Sequence, residues 1–144
     1  MQLVMSSILR NSLALLAGLI LGSAVNMSLI NISGSIIPPP EGFDLTTEAG
    51  LKASMPFLEP KHFIFPFLAH ALGTLIGALL AALIAASNQL KLALLVGFMF
   101  LFGGVWMVCI LPAPMWFNVL DLVLAYIPFA WLGARLIERL KRSI

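Results

Sequence analysis

His70 and Asp121 are the side chains whose chemistry stands out in this sequence, because each lies inside a long apolar stretch. An imidazole takes up and releases a proton near neutral pH, and a carboxylate beside it can orient the ring or stabilise its charge. A charged carboxylate in an apolar surrounding costs roughly 3 kcal/mol unless it is paired. We therefore expect Asp121 to face the interior of the protein and to meet His70, directly or through a water, with Asn26 as a third partner.

Three further polar side chains, Asn26, Thr74 and Asn118, are expected near the same depth. Counted from the outer ends of the apolar stretches at 1.5 Å per helical residue, Asn26, His70 and Asp121 lie roughly 6–8 Å below the boundary. Thr74 is one turn deeper, and Asn118 is one turn shallower. The five residues form a predicted polar layer, for which two interpretations stay open. One is a proton acceptor or solute site that opens to the outside, and the other is a hydrogen-bonded staple between three helices.

A metal site and a bound cofactor are not predicted. His62 and His70 are eight residues apart rather than one helical turn, and two nitrogen or oxygen ligands do not complete a site. Cys109 is the only cysteine, which excludes an internal disulfide, a CxxC redox pair and a thiolate cluster.

Catalysis by a hydroxyl nucleophile has little support in the sequence. Ser23, Ser28 and Thr74 could act near His70 in a lipid-acting hydrolase. No serine lies in a G-x-S-x-G elbow, however, and hydroxyls within membrane helices usually bond to their own backbone. We therefore predict no catalytic residue, and a non-enzymatic role is favoured.

The composition of the chain predicts the helices that position these side chains. Of the 144 residues, 61% are hydrophobic and 10% are charged, whereas a soluble domain of this size has about 25% charged residues. Four apolar runs approach the roughly 20 residues that cross a bilayer as a helix, and none alternates like the strands of a barrel. We predict an all-α membrane protein, a four-helix transmembrane bundle in one domain, residues 1–144. The spans are expected at about 10–32, 62–87, 90–111 and 116–138.

The distribution of Lys and Arg predicts the orientation, because cytoplasmic loops carry an excess of these residues. Six basic residues fall on one side of the predicted bundle: Arg10, Lys91, Arg135, Arg139, Lys141 and Arg142. Lys52 and Lys61 fall on the other side, in a loop of about 30 residues at 33–61. Both termini are therefore expected in the cytoplasm, with a basic tail at 139–144 and the 33–61 loop outside. Because the basic residues follow a membrane boundary, we expect the lipid bilayer as their partner and no nucleic acid.

Small residues at four-residue spacing predict that the first two helices pack closely against each other. Both helices carry such a face, and the two helices run in opposite directions. One register pairs every residue of one face with a residue of the other: Asn26 with His70, Gly22 with Gly73 and Thr74, Gly18 with Gly77, and Ala14 with Ala81. In the last span, Pro128 removes a backbone N–H and should kink the helix.

A resemblance to other proteins is carried by three stretches of the sequence: IPPPEG, PKHFIFPFLAHALGTLIGA and LPAPMWFNVLDLVLAYIP. Together they resemble a group of small bacterial four-helix membrane proteins, over nearly the whole chain. The resemblance implies a bacterial inner-membrane location and supports four helices. Since that group has no assigned activity, the resemblance implies no mechanism.

Three classes of function follow, in order of preference. The first is a small transporter or channel component whose site is the polar layer. Because four helices with short loops enclose little volume, a pore would require a homo-oligomer. The second is a non-catalytic accessory or scaffold subunit that binds a larger membrane-protein partner, in which the polar layer contributes stability. The third is an enzyme that acts on a lipid or a quinone.

Overall fold

The computed structural model describes residues 6–143, and the fold of this part is built from helices joined by irregular connections. The six α-helices are α1 (Ser7–Ile36), α2 (Glu48–Ser54), α3 (Ile64–Ile84), α4 (Gln89–Ile110), α5 (Met115–Leu124) and α6 (Ile127–Arg142). Two short 3-10 helices, Met55–Phe57 and Pro60–Phe63, connect α2 to α3. Residues 1–5 of the predicted domain and Ile144 of the predicted tail lie outside the described residues.

Four segments of this fold are long and apolar enough to cross a membrane: Ser7–Ile36, Pro60–Ile84, Gln89–Ile110 and Met115–Arg142. The prediction of four membrane-length helices in an all-α protein is therefore confirmed. Bulky apolar side chains on these segments, such as Phe102 and Trp106 of α4, are exposed on the isolated chain. Since lipid tails are as apolar as these side chains, such a surface is compatible with a multi-pass membrane protein.

The contact between α1 and α3 is made by small residues. The buried residues of α1 are Ala14, Gly18 and Gly22. A Cβ atom on Gly22 would lie 2.6 Å from the carbonyl oxygen of Gly73, and one on Gly18 would lie 2.5 Å from that of Gly77. Distances this short leave no room for a side chain, so the two backbones are in direct contact. The structure thus brings together Gly18 with Gly77 and Gly22 with Gly73.

The centre of the bundle is also filled by small side chains. The largest buried cluster includes Ala78, Ala81, Ala82, Ala93, Val96 and Ala130. Gly133 of α6 packs directly on α3, since a Cβ atom there would lie 2.9 Å from the carbonyl oxygen of Leu75. Helix α3 therefore contacts α1, α4 and α6 at once, and the bulky residues are left on the outer surface.

The fourth membrane-length segment is interrupted at Ala125 and Tyr126, between α5 and α6. Pro128 lies at the start of α6 and has no N–H to donate to the carbonyl of Leu124, so the helix cannot continue unbroken. Regular bonding resumes where the N–H of Ala130 donates to the carbonyl of Tyr126 at 2.9 Å. The interruption changes the direction in which Tyr126 points relative to α5.

The connection between α1 and α3 is ordered by short-range hydrogen bonds and an aromatic cluster. The Asp44 carboxylate accepts hydrogen bonds from the backbone N–H and the hydroxyl of Thr46, at 2.8 and 2.6 Å. These bonds stabilise the charged form and hold the pKa of Asp44 below its usual value. Met55, Phe63 and Phe117 form a buried cluster, which docks the connection on the beginning of α5.

At the opposite end of the bundle, the beginning of α1 is bonded to the connection between α3 and α4. The Arg10 Nε donates to the carbonyl oxygen of Ile84 at 2.7 Å. The Asn11 Oδ1 accepts a hydrogen bond from the N–H of Ala86 at 2.9 Å. Arg10 and Lys91, which lies in the first turn of α4, are therefore found at the same end of the bundle.

Candidate functional site

The centre of the candidate site is a contact between His70 of α3 and Asp121 of α5. The His70 Nδ1 lies 2.8 Å from Oδ1 and 2.9 Å from Oδ2 of Asp121. Asp121 is 4% exposed. A carboxylate accepts hydrogen bonds, so the Nδ1–H of the ring donates to it. The structure thus brings together the two ionisable residues that stand out in the sequence. The hydrogen bonds from Nδ1 to the carboxylate hold the orientation of the imidazole ring.

Tyr126 completes this cluster, and the sequence interpretation missed it. Its hydroxyl donates to the Asp121 Oδ2 at 3.0 Å, and its ring stacks on His70 with centroids 5.6 Å apart. Tyr126 is the only tyrosine of the chain, which is the one signal that could have drawn attention to it. Its position five residues after Asp121 does not predict the contact, because that spacing turns a residue roughly 140° away in a continuous helix. The interruption before Pro128 makes the contact possible.

His70 also lines a groove between α1, α3 and α4, here called the His70 groove. Its volume is about 380 Å³, and its lining includes Asn26, His70, Thr74, Phe100 and Trp106. Since Nδ1 is bonded to Asp121, Nε2 is the ring nitrogen left for the groove, and it makes no hydrogen bond within residues 6–143. The groove is therefore a largely apolar space with one fixed imidazole nitrogen in its wall.

Thr74 also lines the His70 groove, but its hydroxyl oxygen is buried. It is 1% exposed, and its Oγ1 has no hydrogen-bond partner within the described part of the chain. A buried hydroxyl left without a partner costs about 1–3 kcal/mol, so such an atom calls for an explanation. Thr74 lies one turn after His70 on the same face of α3, as the spacing of four residues predicts.

Asn26 and Asn118 differ in their relation to the cluster. Asn26 lines the His70 groove beside Gly73, and its amide makes no hydrogen bond to His70 or Asp121 among the described residues. The Asn118 amide donates to the carbonyl of Ala113 at 3.3 Å, across the turn that precedes α5. The structure therefore brings Asn26 to the groove and leaves Asn118 outside it.

The described residues hold no group of three His, Cys, Asp or Glu side chains close enough to bind a metal ion. His62 is engaged elsewhere, because its Nδ1 accepts the N–H of Glu59 at 3.0 Å. Its Nε2 lies 3.2 Å from the carbonyl oxygen of Pro38. Cys109 is exposed on α4. The chemistry available at the site is hydrogen bonding by the His70 ring.

Comparison with known proteins assigns no role to any of these residues. No protein-family model matches the sequence, and neither a curated protein nor a solved structure matches the chain. The function of the chain has to be inferred from the His70 groove itself.

Proposed function

We propose that this chain is a multi-pass protein of the bacterial inner membrane and that it binds a small molecule in the His70 groove, as a small transporter component. Four membrane-length helices support the membrane location. The basic residues support an orientation with both termini in the cytoplasm, because Arg10 and Lys91 lie at one end of the bundle and α2 belongs to the opposite side. In that orientation, the His70 groove opens in the outer half of the membrane.

One observation carries the proposal: the His70 side chain, whose Nδ1 is bonded to Asp121, also lines an open groove. The Nε2 of His70 makes no hydrogen bond within residues 6–143, so this nitrogen is left for a bound molecule. Ligand sites are typically apolar clefts of about 300–1,000 Å³ with a few polar groups that fix orientation. The His70 groove, at about 380 Å³, fits this description.

The packing of the bundle favours entry from the side over conduction along its axis. Alanines and glycines fill the centre, and the α1 and α3 backbones touch at Gly22 and Gly73. Gly103 of α4, by contrast, lines the groove and has no atom within 4 Å of the place where its Cβ would lie. A molecule dissolved in the bilayer can therefore reach His70 between α1 and α4.

The proposal is tested by blocking the groove without touching its polar groups. The open space at Gly103 admits a side chain, so Gly103→Leu should fill the groove and leave the contact of His70 with Asp121 in place. Gly34→Leu is the matched control, because Gly34 also has open space around it and lies near the end of α1. Wild type and both variants would be extracted from bacterial membranes in native nanodiscs, and their bound small molecules identified by mass spectrometry.

We expect a small molecule that accompanies the wild type and the Gly34→Leu variant and is depleted at least tenfold in the Gly103→Leu variant. Purified chain in liposomes should then move that molecule across the bilayer faster than empty liposomes do. Equal recovery of every small molecule from all three proteins would contradict a ligand in the groove.

A second candidate function, that of an accessory subunit, is favoured by the seclusion of Asp121. Both carboxylate oxygens are bonded within the chain, and Asp121 lies behind His70 rather than in the groove wall. This arrangement suits a staple that holds α3, α5 and the start of α6 together. Recovery of a larger membrane protein in stoichiometric amount after native purification would support this function. Recovery of the chain alone or as a homo-oligomer would contradict it.

A further inference from the structure

We propose that α6 carries a binding site for the phosphate group of an anionic phospholipid, formed by Arg135, Arg139 and Arg142. The inference goes beyond the function proposed for the His70 groove and does not depend on it, because the two sites share no residue. It requires only that the chain spans a membrane, for which its four membrane-length segments are long and apolar enough.

The site is a groove of about 360 Å³ on the surface of α6, here called the α6 groove. Trp131, Leu132 and Leu136 contribute the apolar part of its lining. Each of these side chains is between 39% and 47% exposed on the isolated chain, so a bound molecule can cover them. The three arginines and Glu138 contribute the charged part, which continues to the last turn of α6. The groove therefore changes from apolar to charged along the helix.

Packing against α3 indicates the depth of the α6 groove. A Cβ atom on Gly133 would lie 2.9 Å from the carbonyl oxygen of Leu75, so these two residues are at the same level. Helix α3 continues about two and a half turns beyond Leu75, to Ile84. Because α3 and α6 run in the same direction, the last turn of α6 lies near the level at which α3 ends, and Trp131 lies deeper. A phospholipid has the same order, with its phosphate at the boundary and its acyl chains deeper.

The charges of the α6 groove favour an anion. The Glu138 carboxylate accepts hydrogen bonds from Arg135 Nη1 and Arg142 Nη2, both at 2.5 Å. Three arginines and one glutamate leave a net charge of +2 in the groove. Guanidinium groups are charged at every physiological pH, so this positive charge persists under all conditions in which the protein works.

Arg139 is the arginine available to a ligand. It is exposed, and its side chain makes no ion pair or hydrogen bond within residues 6–143. The guanidinium groups of Arg135 and Arg142 are already held by Glu138, and such ordering lowers the entropic cost of binding. A guanidinium has five N–H donors, so both retain donors beyond those that Glu138 uses. A phosphate bound at Arg139 would therefore be attracted by two further arginines with donors to spare.

The apolar part of the α6 groove indicates a lipid rather than a soluble phosphate. The guanidinium carbon of Arg135 lies 5.3 Å from the centroid of the Trp131 ring, so the charged and aromatic parts are adjacent. Tryptophan rings are enriched at membrane interfaces, where one side is apolar and the other polar. An acyl chain can cover Trp131, Leu132 and Leu136 while the phosphate of the same molecule stays at the arginines. A soluble phosphate would contact the arginines alone.

Quenching of tryptophan fluorescence by brominated lipids tests the site in the whole chain. Trp106→Phe and Trp116→Phe leave Trp131 as the only tryptophan, since the chain has three. This protein would be placed in phosphatidylcholine liposomes that contain increasing fractions of a brominated lipid. The probes are brominated phosphatidylglycerol, which is anionic, and brominated phosphatidylcholine with the same acyl chains, which is zwitterionic. Bromine quenches a tryptophan that it contacts, so the two curves give the relative affinity of the two lipids beside Trp131.

We expect the anionic lipid to bind beside Trp131 about tenfold more tightly than the zwitterionic lipid. Arg139→Gln should lower this preference about fivefold, because it removes one positive charge from the groove. This variant should fold well, because the Arg139 side chain has no partner among the described residues. Lys141→Gln is the matched control, since it removes the same charge from the same turn and Lys141 does not line the groove. It should leave the preference nearly unchanged.

Equal quenching by the two brominated lipids in the protein with Trp131 alone would overturn the site. Equal losses of preference in Arg139→Gln and Lys141→Gln would also overturn it, because the lipid would then be attracted by the charge of the whole helix end. Soluble glycerol phosphate in large excess should not displace brominated phosphatidylglycerol. Full displacement would assign the arginines to a soluble phosphate ester and contradict a lipid ligand. Each of these failures leaves the function proposed for the His70 groove in place.

Discussion

Asp121 is the residue on which the polar cluster depends. Its carboxylate accepts the Nδ1–H of His70 and the hydroxyl of Tyr126 while it remains buried. Breaking a buried pair by removal of one partner is costly, because the remaining charge keeps its desolvation penalty and loses its compensation. The energetic role of His70 therefore lies in its effect on Asp121 as much as in its own contacts.

This relation predicts a non-additive double mutant. His70→Ala should lower the free energy of unfolding on the order of 2 kcal/mol, because it leaves the Asp121 charge with only the Tyr126 hydroxyl. Adding Asp121→Asn should recover part of the loss, since the uncompensated charge is gone. Unfolding in mixed SDS–detergent micelles, followed by circular dichroism, measures both effects.

The control for this cycle is Asn118→Ala, which removes an amide whose one hydrogen bond within residues 6–143 is to the Ala113 carbonyl. Its effect should add simply to that of His70→Ala. If the effects of His70→Ala and Asp121→Asn were also simply additive, the contact between these two residues would contribute nothing to stability.

The contact between His70 and Asp121 could be predicted from the sequence, because few ionisable side chains lie in the apolar stretches and each requires a partner. Tyr126 could not be placed in the cluster, because its contact depends on how far the chain turns at the interruption before Pro128. The missing partner of Thr74 could not be predicted either, since a helical threonine usually bonds to its own backbone. Asn118 was expected in the layer by depth alone, and depth does not specify the direction of a side chain.

At the scale of helices, α1 is held to the bundle by a narrow line of small residues. Ala14, Gly18 and Gly22 are its buried residues, and its other side chains are partly or fully exposed. The alternation of apolar runs and loops was enough to predict the helices. The four-residue spacing of small side chains was enough to align Gly18 with Gly77. The spacing could not predict how closely the backbones of α1 and α3 approach each other.

The close approach predicts opposite effects for two glycines of the same helix. Gly22→Ala should lower the free energy of unfolding by about 1–3 kcal/mol, because the new Cβ would lie 2.6 Å from the carbonyl oxygen of Gly73. Gly34→Ala should raise it by about 0.5–1 kcal/mol, because Gly34 has open space and alanine favours a helix. The same micelle titration measures both. Stabilisation of equal size at the two positions would show that helix propensity, and not packing, determines the effect.

The connection around α2 should respond to acid through Asp44. Hydrogen bonds from Thr46 lower the pKa of Asp44 in the folded chain, so its stabilising effect is complete above the unfolded value of 3.8. The effect is lost as the pH falls through the lower folded value. The amide signal of Thr46 should therefore titrate with a midpoint below 3.8, and Thr46→Val should move the midpoint toward it. A wild-type midpoint at or above 3.8 would contradict the hydrogen-bonded arrangement.

At the scale of the whole molecule, the two ends of the bundle differ in charge. One end combines Arg10, Lys91 and the last turns of α6, which carries Arg139, Lys141 and Arg142 in its final turn. The charge bias is a property of sequence alone, and it predicts the orientation only if a membrane lies between the two ends.

The orientation is tested by cysteine accessibility in a Cys109→Ala background, since the native cysteine is itself exposed. Gly42→Cys should react with an impermeant thiol reagent in intact bacterial cells, because the proposed orientation places it outside. Ser143→Cys should react only after the cells are lysed. The reverse pattern would invert the assigned topology.

The interruption between α5 and α6 has a consequence for how the protein is made. The segment Met115–Arg142 is the least apolar of the four membrane-length segments, and its second half carries Arg135 and Glu138. A translocon releases a segment into lipid according to its own apolarity, so this segment has the weakest drive to leave. Its small residues, Ala130 and Gly133, fit against helices that have already been synthesised. We therefore expect this segment to insert only after α3 and α4 are in the bilayer. Membrane insertion of the chain would then be sequential, because the last segment needs contacts with the earlier helices.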